Sequence, residues 1–135
     1  MIVDTGPIVT LFDPDSKLHG WAREQFGQLQ EPLLTCESVV SEAAFLMRRD
    51  NFDPKSLVSL LQRKVIVCGF DLMAEIDAIH ALFHRFADQS ISLADASLVR
   101  MSELYPDSAV FTMDRDFLVY RRNGRQKIPL IAPFA

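Results

Sequence analysis

The feature that most constrains the fold of this chain is an alternation of short apolar segments with longer amphipathic ones. Five segments of three or four mostly apolar residues are typical of strands that are buried on both faces. These predicted strands are residues 1–3, 33–35, 65–67, 109–112 and 129–132. Because helical patterns separate them, we predict an α/β fold with a central parallel sheet flanked by helices on both faces.

Helical spacing of apolar residues, together with capping residues, marks six predicted helices. Their predicted starts are Thr5, Ser16, residue 37, Asp53, Asp71 and Ser92. The helix from Asp71 carries a regular apolar stripe, formed by Leu72, Ile76, Ile79, Phe83 and Phe86. A chain of 135 residues with no long linker, repeat or low-complexity segment suits one hydrophobic core. We therefore expect a single domain over residues 1–135.

Composition narrows the class of protein. No apolar run approaches the roughly 20 residues that a membrane span needs. The N-terminal residues show no basic leader of the kind that begins a secretory signal. The two cysteines, Cys36 and Cys68, match no zinc-binding spacing and are typical of reduced core residues. These features predict a cytoplasmic protein without a membrane partner.

The net charge of −4 at first argues against a nucleic-acid partner. That argument weakens if some carboxylates bind a metal ion. Setting aside the five acids discussed next leaves thirteen acidic side chains against fourteen basic ones. Charge alone therefore does not decide the kind of partner.

Three aspartates follow predicted strands directly or within a few residues. Asp4 follows the first strand, and Asp114 and Asp116 follow the strand at 109–112. Ligands of open parallel sheets bind outside the carboxyl ends of the strands. We therefore expect these three carboxylates to meet at one edge of the sheet.

Two further acids lie on helix faces that the sequence pattern predicts to be apolar. Glu42 shares its face with Val39, Phe45 and Leu46, and Asp95 lies among small and apolar residues in "ISLADAS". Clustered carboxylates raise one another's pKa unless a cation neutralises them. Carboxylate oxygens without nearby histidine or cysteine favour Mg²⁺ or Mn²⁺. The five acids together predict one acidic, metal-binding pocket.

Each acid also has a purely local interpretation. The pair Ser92 and Asp95 fits a capping box, in which the aspartate only satisfies the helix start. Asp4 fits a turn or a cap, and a salt bridge to a neighbouring arginine would account for Glu42. Asp114 and its neighbour Asp116 fit turn positions.

Four segments in register resemble the PIN domains, metal-dependent ribonucleases that include the VapC-type toxins of toxin–antitoxin pairs. The segments are "IVDTGPIVTLFD", "LTCESVVSEAAFLM", "ADQSISLADASLV" and "VFTMDRDFLVYR". The third is the most specific, with an acid inside a helix of small residues. The resemblance covers nearly the whole chain and implies an endoribonuclease that is the toxin of such a pair.

The resemblance implies roles for individual residues. It makes Asp4, Glu42, Asp95 and Asp114 an acidic quartet around one or two Mg²⁺ or Mn²⁺ ions. Asp4 and Asp95 would be the principal ligands, and Glu42 would act directly, through water or as a base. Asp116 would complete the pocket, and Asp114 is favoured over it as the closer ligand.

The resemblance also suggests contributions from residues beside the acids. Thr5 and Thr112 would orient carboxylates or metal-bound water, or serve only as local caps. Basic side chains that would guide the RNA backbone are Arg48, Arg49, Arg121, Arg122, Arg125 and Lys127. A solvated rim of charge is the alternative interpretation of these cations. The implied partners are a second copy of the chain and a small antitoxin that occludes the acidic pocket.

A phospho-receiver domain is one alternative, because it too combines a parallel sheet with an acidic Mg²⁺ pocket. Thr112 and Lys127 fit it loosely, with Asp71 as the phosphate acceptor. A receiver needs paired acids after the first strand, whereas Asp4 is followed by Thr-Gly-Pro. A catalytically silent binding module on the same scaffold is a further alternative.

A zinc site on the long predicted helix is the last alternative. Asp77, His80 and His84 share one helix face, but no third strong ligand or glutamate of an HExxH motif accompanies the histidines. An interface or solvent-facing role is the simpler interpretation of these residues.

Overall fold

The computed structural model describes residues 1–134, so that Ala135, the last residue of the predicted domain, lies outside the described residues. Residues 1–134 contain seven short strands. They are β1 (Ile2–Val3), β2 (Leu33–Thr35), β3 (Ile66–Cys68), β4 (Val110–Phe111), β5 (Arg121–Arg122), β6 (Gln126–Lys127) and β7 (Leu130–Ile131). Five of them form a sheet in the order β3-β2-β1-β4-β7, and every neighbouring pair is parallel.

Six α-helices connect and cover these strands within the same residues. They are α1 (Thr5–Leu11), α2 (His19–Gln28), α3 (Glu37–Arg49), α4 (Lys55–Gln62), α5 (Ile76–Arg85) and α6 (Leu93–Leu104). Short 3₁₀ turns at Ala87–Gln89 and Arg115–Leu118 complete the pattern. The predicted α/β class with a central parallel sheet is therefore confirmed.

The central strands are apolar because both faces of the sheet are covered. Consecutive strand residues point to opposite faces, and Ile2, Val3, Val110 and Phe111 are all fully buried. The rings of the second helix pack against the sheet here: Trp21 and Phe26 of α2 lie 5.5 and 5.0 Å from the ring of Phe111. This packing covers β4 on the α2 side of the sheet.

The N-terminal ends of α1, α2 and α4 differ from the capping predictions, and α4 begins at Lys55 with Pro54, rather than Asp53, at its N-cap. Asp4, rather than Thr5, is the N-cap of α1, because the Asp4 carboxylate accepts a hydrogen bond from the Thr5 amide. Helix α2 begins at His19, since Ser16 lies in the turn that precedes it. By contrast, α3 begins at residue 37 and α6 is capped by Ser92, as predicted.

The prediction of a long helix from Asp71 was wrong in its start and in part of its stripe. The Asp71 carboxylate accepts a hydrogen bond from the Ala74 amide and closes a separate turn, so that α5 begins only at Ile76. Ile79 is buried, but Ile76 and Phe83 are 40% and 38% exposed. The apolar face of α5 is therefore narrower than the sequence stripe.

A small antiparallel hairpin, formed by β5 and β6, was not predicted. Its turn contains Asn123 and Gly124, both with positive φ, and Asn-Gly is the strongest short-range signal for such a turn. The Arg122 guanidinium donates hydrogen bonds to the carbonyls of Ser102 and Pro106, at 2.7 and 3.2 Å. These bonds attach the hairpin to the C-terminal end of α6.

The order of the strands locates the place where a ligand can bind. The chain moves outward from β1 through β2 to β3 and then crosses to β4 on the other side of β1. In open parallel sheets, ligands bind beside the carboxyl ends of the strands at such a reversal. Asp4 and Thr112 follow directly after β1 and β4 at this point. None of the helices within residues 1–134 is long and apolar enough to cross a membrane.

Candidate active site

A cleft of about 820 Å³ opens at the carboxyl ends of β1 and β4. All five predicted acids line it, which is the juxtaposition expected from their positions in the sequence. These acids are Asp4, Glu42, Asp95, Asp114 and Asp116. They come from the ends of two strands and from the helices α3 and α6, so the cleft is made by the tertiary fold rather than by one segment.

Asp4 lies at the floor of the cleft and is only 5% exposed. One carboxylate oxygen accepts a hydrogen bond from the Thr5 amide at 2.7 Å, and the other accepts from the Thr112 hydroxyl at 2.6 Å. Burial raises the pKa of Asp4 from 3.8 to about 7, and the charges of Asp95 and Asp114 act in the same direction. The hydrogen bonds oppose this rise without cancelling it. A cation in the cleft would therefore stabilise the charged form of Asp4.

Thr112 connects the two strand ends through its hydroxyl group. The hydroxyl donates to Asp4 and accepts a hydrogen bond from the Asp114 amide at 3.0 Å. Thr112 is fully buried, and its bond to Asp4 is buried with it, whereas the bond from the Asp114 amide is partly buried. The side chain of Thr112 thus fixes the floor of the cleft relative to the segment that carries Asp114.

Asp95 lies in the first turn of α6, where it belongs to the helix cap and also lines the cleft. The Ser92 hydroxyl accepts a hydrogen bond from the Asp95 amide, as in a capping box. The Asp95 carboxylate accepts a hydrogen bond from the Tyr120 hydroxyl at 2.9 Å. Burial raises the pKa of Asp95 to about 6, and the charges of Asp114, Asp116 and Glu42 add to this effect, whereas the bond from Tyr120 opposes it.

Three of the acids are close enough to share a cation. Carboxylate oxygens of Asp95, Asp114 and Asp116 lie within 4.8 Å of one another. Among residues 1–134, the group that meets this distance includes neither Asp4 nor Glu42. An all-carboxylate donor set suits a hard divalent cation, and the raised pKa values of Asp4 and Asp95 fit a site that needs positive charge. The ligand order between Asp114 and Asp116 stays open, because both belong to this group.

Glu42 reaches the cleft from α3, but the premise that it faces the packed side of the helix was wrong. Glu42 is exposed, and Phe45, predicted to share its apolar face, is 68% exposed. One Glu42 carboxylate oxygen accepts a hydrogen bond from the Thr5 hydroxyl at 3.2 Å. Glu42 therefore lies at the rim of the cleft, hydrogen-bonded to the first residue of α1.

Two residues of the site were missed by the sequence reasoning. Arg115 lines the cleft between the two aspartates beside it, and its guanidinium lies 4.8 Å from the centre of the Phe134 ring. Tyr120 is 1% exposed and binds Asp95. A buried tyrosine usually needs a partner for its hydroxyl, and that rule could have drawn attention to Tyr120.

The six predicted RNA-binding cations differ in their contacts. Arg48, Arg125 and Lys127 are exposed, and Arg49 is paired with Asp50 on the surface. The Arg121 guanidinium donates to the carbonyls of Leu118, Val119 and Tyr120, at the end of the 3₁₀ turn and just after it, at 2.7 to 3.2 Å. The Arg122 guanidinium donates in the same way to carbonyls at and just beyond the end of α6. The guanidinium groups of Arg121 and Arg122 are therefore hydrogen-bonded to the backbone.

The residues of the receiver-like site and of the zinc site are not brought together as the five acids are. Asp71 follows β3 at the edge of the sheet and does not line the acidic cleft, unlike the phosphate acceptor that a receiver-like site would need. Asp77, His80 and His84 are exposed on α5 and do not form a close group of metal ligands within the part of the chain that the structure describes.

A five-stranded parallel sheet with an acidic cleft at its strand reversal is the arrangement expected of a VapC-type PIN domain. No model of a known protein family matches the chain. Its sequence is 26% identical over 120 residues to Ribonuclease VapC26 of Mycobacterium tuberculosis, across 85% of this chain and 87% of that protein.

A solved structure has the same fold as this chain. It is Mycobacterium tuberculosis VapC20, a sarcin-ricin loop cleaving toxin, with a TM-score of 0.75 and 17% sequence identity. The match covers 95% of this chain and 98% of the VapC20 chain. The resemblance to VapC-type PIN-domain ribonucleases that the four motifs predict is confirmed by the two comparisons together.

Proposed function

We propose that this chain is a divalent-metal-dependent endoribonuclease and the toxin of a toxin–antitoxin pair. The observation that carries the proposal is the group of three aspartates whose oxygens lie within 4.8 Å, beside a fourth, buried aspartate. The similarity in sequence to Ribonuclease VapC26 supports RNA as the substrate. A single domain, a cytoplasmic location and a homodimer are part of the same proposal.

Asp95, Asp114 and Asp116 would hold one or two ions, Mg²⁺ or Mn²⁺, with Asp4 at the floor of the cleft. Such an ion lowers the pKa of a bound water and offsets the negative charge of the phosphodiester. Thr112 keeps the Asp4 carboxylate in a fixed orientation by donating a hydrogen bond to it. Glu42, which is exposed at the rim, is positioned to accept a proton from a water at the mouth of the cleft.

Arg115 and the six predicted cations suggest how the RNA backbone would be guided. Arg115 is the cation that lines the cleft itself, so we propose it as the first contact of a phosphate group. Arg48, Arg125 and Lys127 are exposed and would contribute charge farther out, with Arg49 shared with Asp50. Arg121 and Arg122 are the weaker candidates, because their guanidinium groups hold carbonyls. A small antitoxin that covers the acidic cleft would block the contact at Arg115.

The test is cleavage of a panel of structured RNAs by purified protein with Mn²⁺ or Mg²⁺, compared with the protein in EDTA. We expect cleavage that requires the metal and that Asp95→Asn reduces by at least about 100-fold, because it removes one charged ligand from the group of three. Asp77→Asn is the matched control, since Asp77 is an exposed aspartate on α5 outside the cleft.

Two results would contradict the proposal. Equal cleavage by the Asp95→Asn and Asp77→Asn proteins would assign the activity to a contaminant or to another site. Metal binding without cleavage of any RNA, in protein free of a bound inhibitor, would favour the catalytically silent binding module instead.

A further inference from the structure

Tyr120 is the largest of the fully buried side chains, and its hydroxyl lies inside the protein beside the acidic cleft. Its ring makes edge-to-face contacts with Phe86 and Phe117, each with ring centres 5.3 Å apart. These contacts fix the position of the ring and therefore the position of its hydroxyl. It donates to the Asp95 carboxylate at 2.9 Å.

The hydrogen bond joins two segments that the backbone does not connect directly. Tyr120 follows the 3₁₀ turn that carries Asp116, whereas Asp95 lies in the first turn of α6. One oxygen of Asp95 is held by Tyr120, which limits rotation of the carboxylate about its Cβ–Cγ bond. The distance between Asp95 and the acids of the turn therefore depends on this contact.

We propose that Tyr120 is a positioning residue that orients the Asp95 carboxylate toward the cation shared with Asp114 and Asp116. The inference rests on the proposed function for the identity of the site. It adds a residue that itself binds no metal and touches no substrate. A phenol serves this purpose because it donates a hydrogen bond without a positive charge that would compete with the cation.

The direct test is Tyr120→Phe, which keeps the ring and its contacts but removes the hydroxyl. Mn²⁺ binding to the protein is measured by isothermal titration calorimetry, without RNA. We expect the Mn²⁺ affinity to fall about 10- to 100-fold, as is typical when the partner of a ligating carboxylate is removed. Tyr105→Phe is the matched control, because the Tyr105 hydroxyl makes a 3.4 Å contact with the Gly69 carbonyl away from the cleft. It should leave the affinity unchanged.

A spectroscopic measurement on a protein that keeps Tyr120 tests the same contact without relying on the folding of Tyr120→Phe. The chain has two tyrosines, so that Tyr105→Phe leaves Tyr120 as the one tyrosine. Labelling this variant with 3-fluorotyrosine gives a single ¹⁹F resonance from position 120. We expect Mg²⁺ to shift that resonance at the concentrations that saturate binding, and expect Asp95→Asn to abolish the shift.

The outcomes separate this inference from the proposed function. Equal Mn²⁺ affinity of the Tyr120→Phe and Tyr105→Phe proteins, or a ¹⁹F resonance that Mg²⁺ leaves unmoved, would overturn the positioning role even if the protein cuts RNA. A specific loss of affinity in Tyr120→Phe supports the role even if wild-type protein cuts no RNA, a result that would contradict only the ribonuclease proposal.

Discussion

Replacing Asp4 with asparagine should make the metal-free protein more stable at alkaline pH while damaging its site. Asp4 is 5% exposed, and burial raises its pKa from 3.8 to about 7. Above pH 7 without a metal ion, the folded protein therefore keeps a poorly solvated negative charge. Asparagine has nearly the same shape, and its carbonyl oxygen can still accept one of the two hydrogen bonds that Asp4 receives.

The expected size follows from the difference between the folded and unfolded pKa values. The stability associated with Asp4 is fully present below pH about 4 and is lost as the pH rises through about 7, because the folded state holds the proton more tightly. The loss is about 1.4 kcal/mol per pH unit, or about 4 kcal/mol in total. A weakened hydrogen bond costs the variant about 1 to 2 kcal/mol. A net gain of about 2 to 3 kcal/mol at pH 8 would raise the Tm by about 6 to 10 °C.

The measurement is thermal and urea unfolding in EDTA at pH 5 and pH 8, with Asp77→Asn as the control for loss of an exposed charge. We expect the stability of Asp4→Asn relative to wild type to rise by about 3 kcal/mol between the two pH values. Mn²⁺ at pH 8 should stabilise the wild type more than the variant. The reasoning is refuted if the two proteins lose stability equally with rising pH in EDTA.

Two further substitutions test contacts around the cleft. Thr112→Val should destabilise the protein by about 1 to 3 kcal/mol in urea unfolding and weaken Mn²⁺ binding in calorimetry, because it removes the hydroxyl that joins Asp4 to the Asp114 amide. Thr112→Ser keeps the hydroxyl and should retain the stability and the Mn²⁺ affinity. Arg122→Met should cost about 1 to 2 kcal/mol in urea unfolding without changing Mn²⁺ affinity, since its guanidinium holds carbonyls at the end of α6, and the exposed Arg125→Met should be neutral. An Arg122→Met protein with wild-type stability, or a Thr112→Val protein with wild-type affinity, would contradict these assignments.

The sheet and the convergence of the acids were predictable because both depend on local patterns. Short apolar segments between helical stretches predict parallel strands, and the carboxyl ends of such strands meet at one edge. Asp4 and Asp114 could therefore be placed together without knowing any side-chain contact. Asp95 was placed in the cleft because helical spacing put it on an apolar helix face, and it does line the cleft.

The contacts that complete the site were not predictable, because they join residues whose proximity depends on tertiary packing. The bond between Tyr120 and Asp95 spans 25 positions, and nothing in either local pattern requires it. Helical spacing assigned Glu42 to a buried face, but Glu42 and its neighbour Phe45 are both exposed in the fold. The hairpin was missed for a different reason, because its Asn123-Gly124 turn is a local signal that was not used.

Neutral hydrogen-bond donors hold two acids of the cleft, the buried Asp4 and the half-buried Asp95. Asp4 accepts from a backbone amide and the Thr112 hydroxyl, and Asp95 accepts from the Tyr120 hydroxyl. Within residues 1–134, neither carboxylate takes part in a salt bridge with arginine or lysine. A salt bridge would fix the same geometry but would neutralise the charge that a cation needs. Hydroxyl and amide donors orient the oxygens and leave the negative charge in place. Burial and repulsion between the carboxylates make the metal-free cleft electrostatically unfavourable, and the oriented oxygens prepare it for a divalent ion.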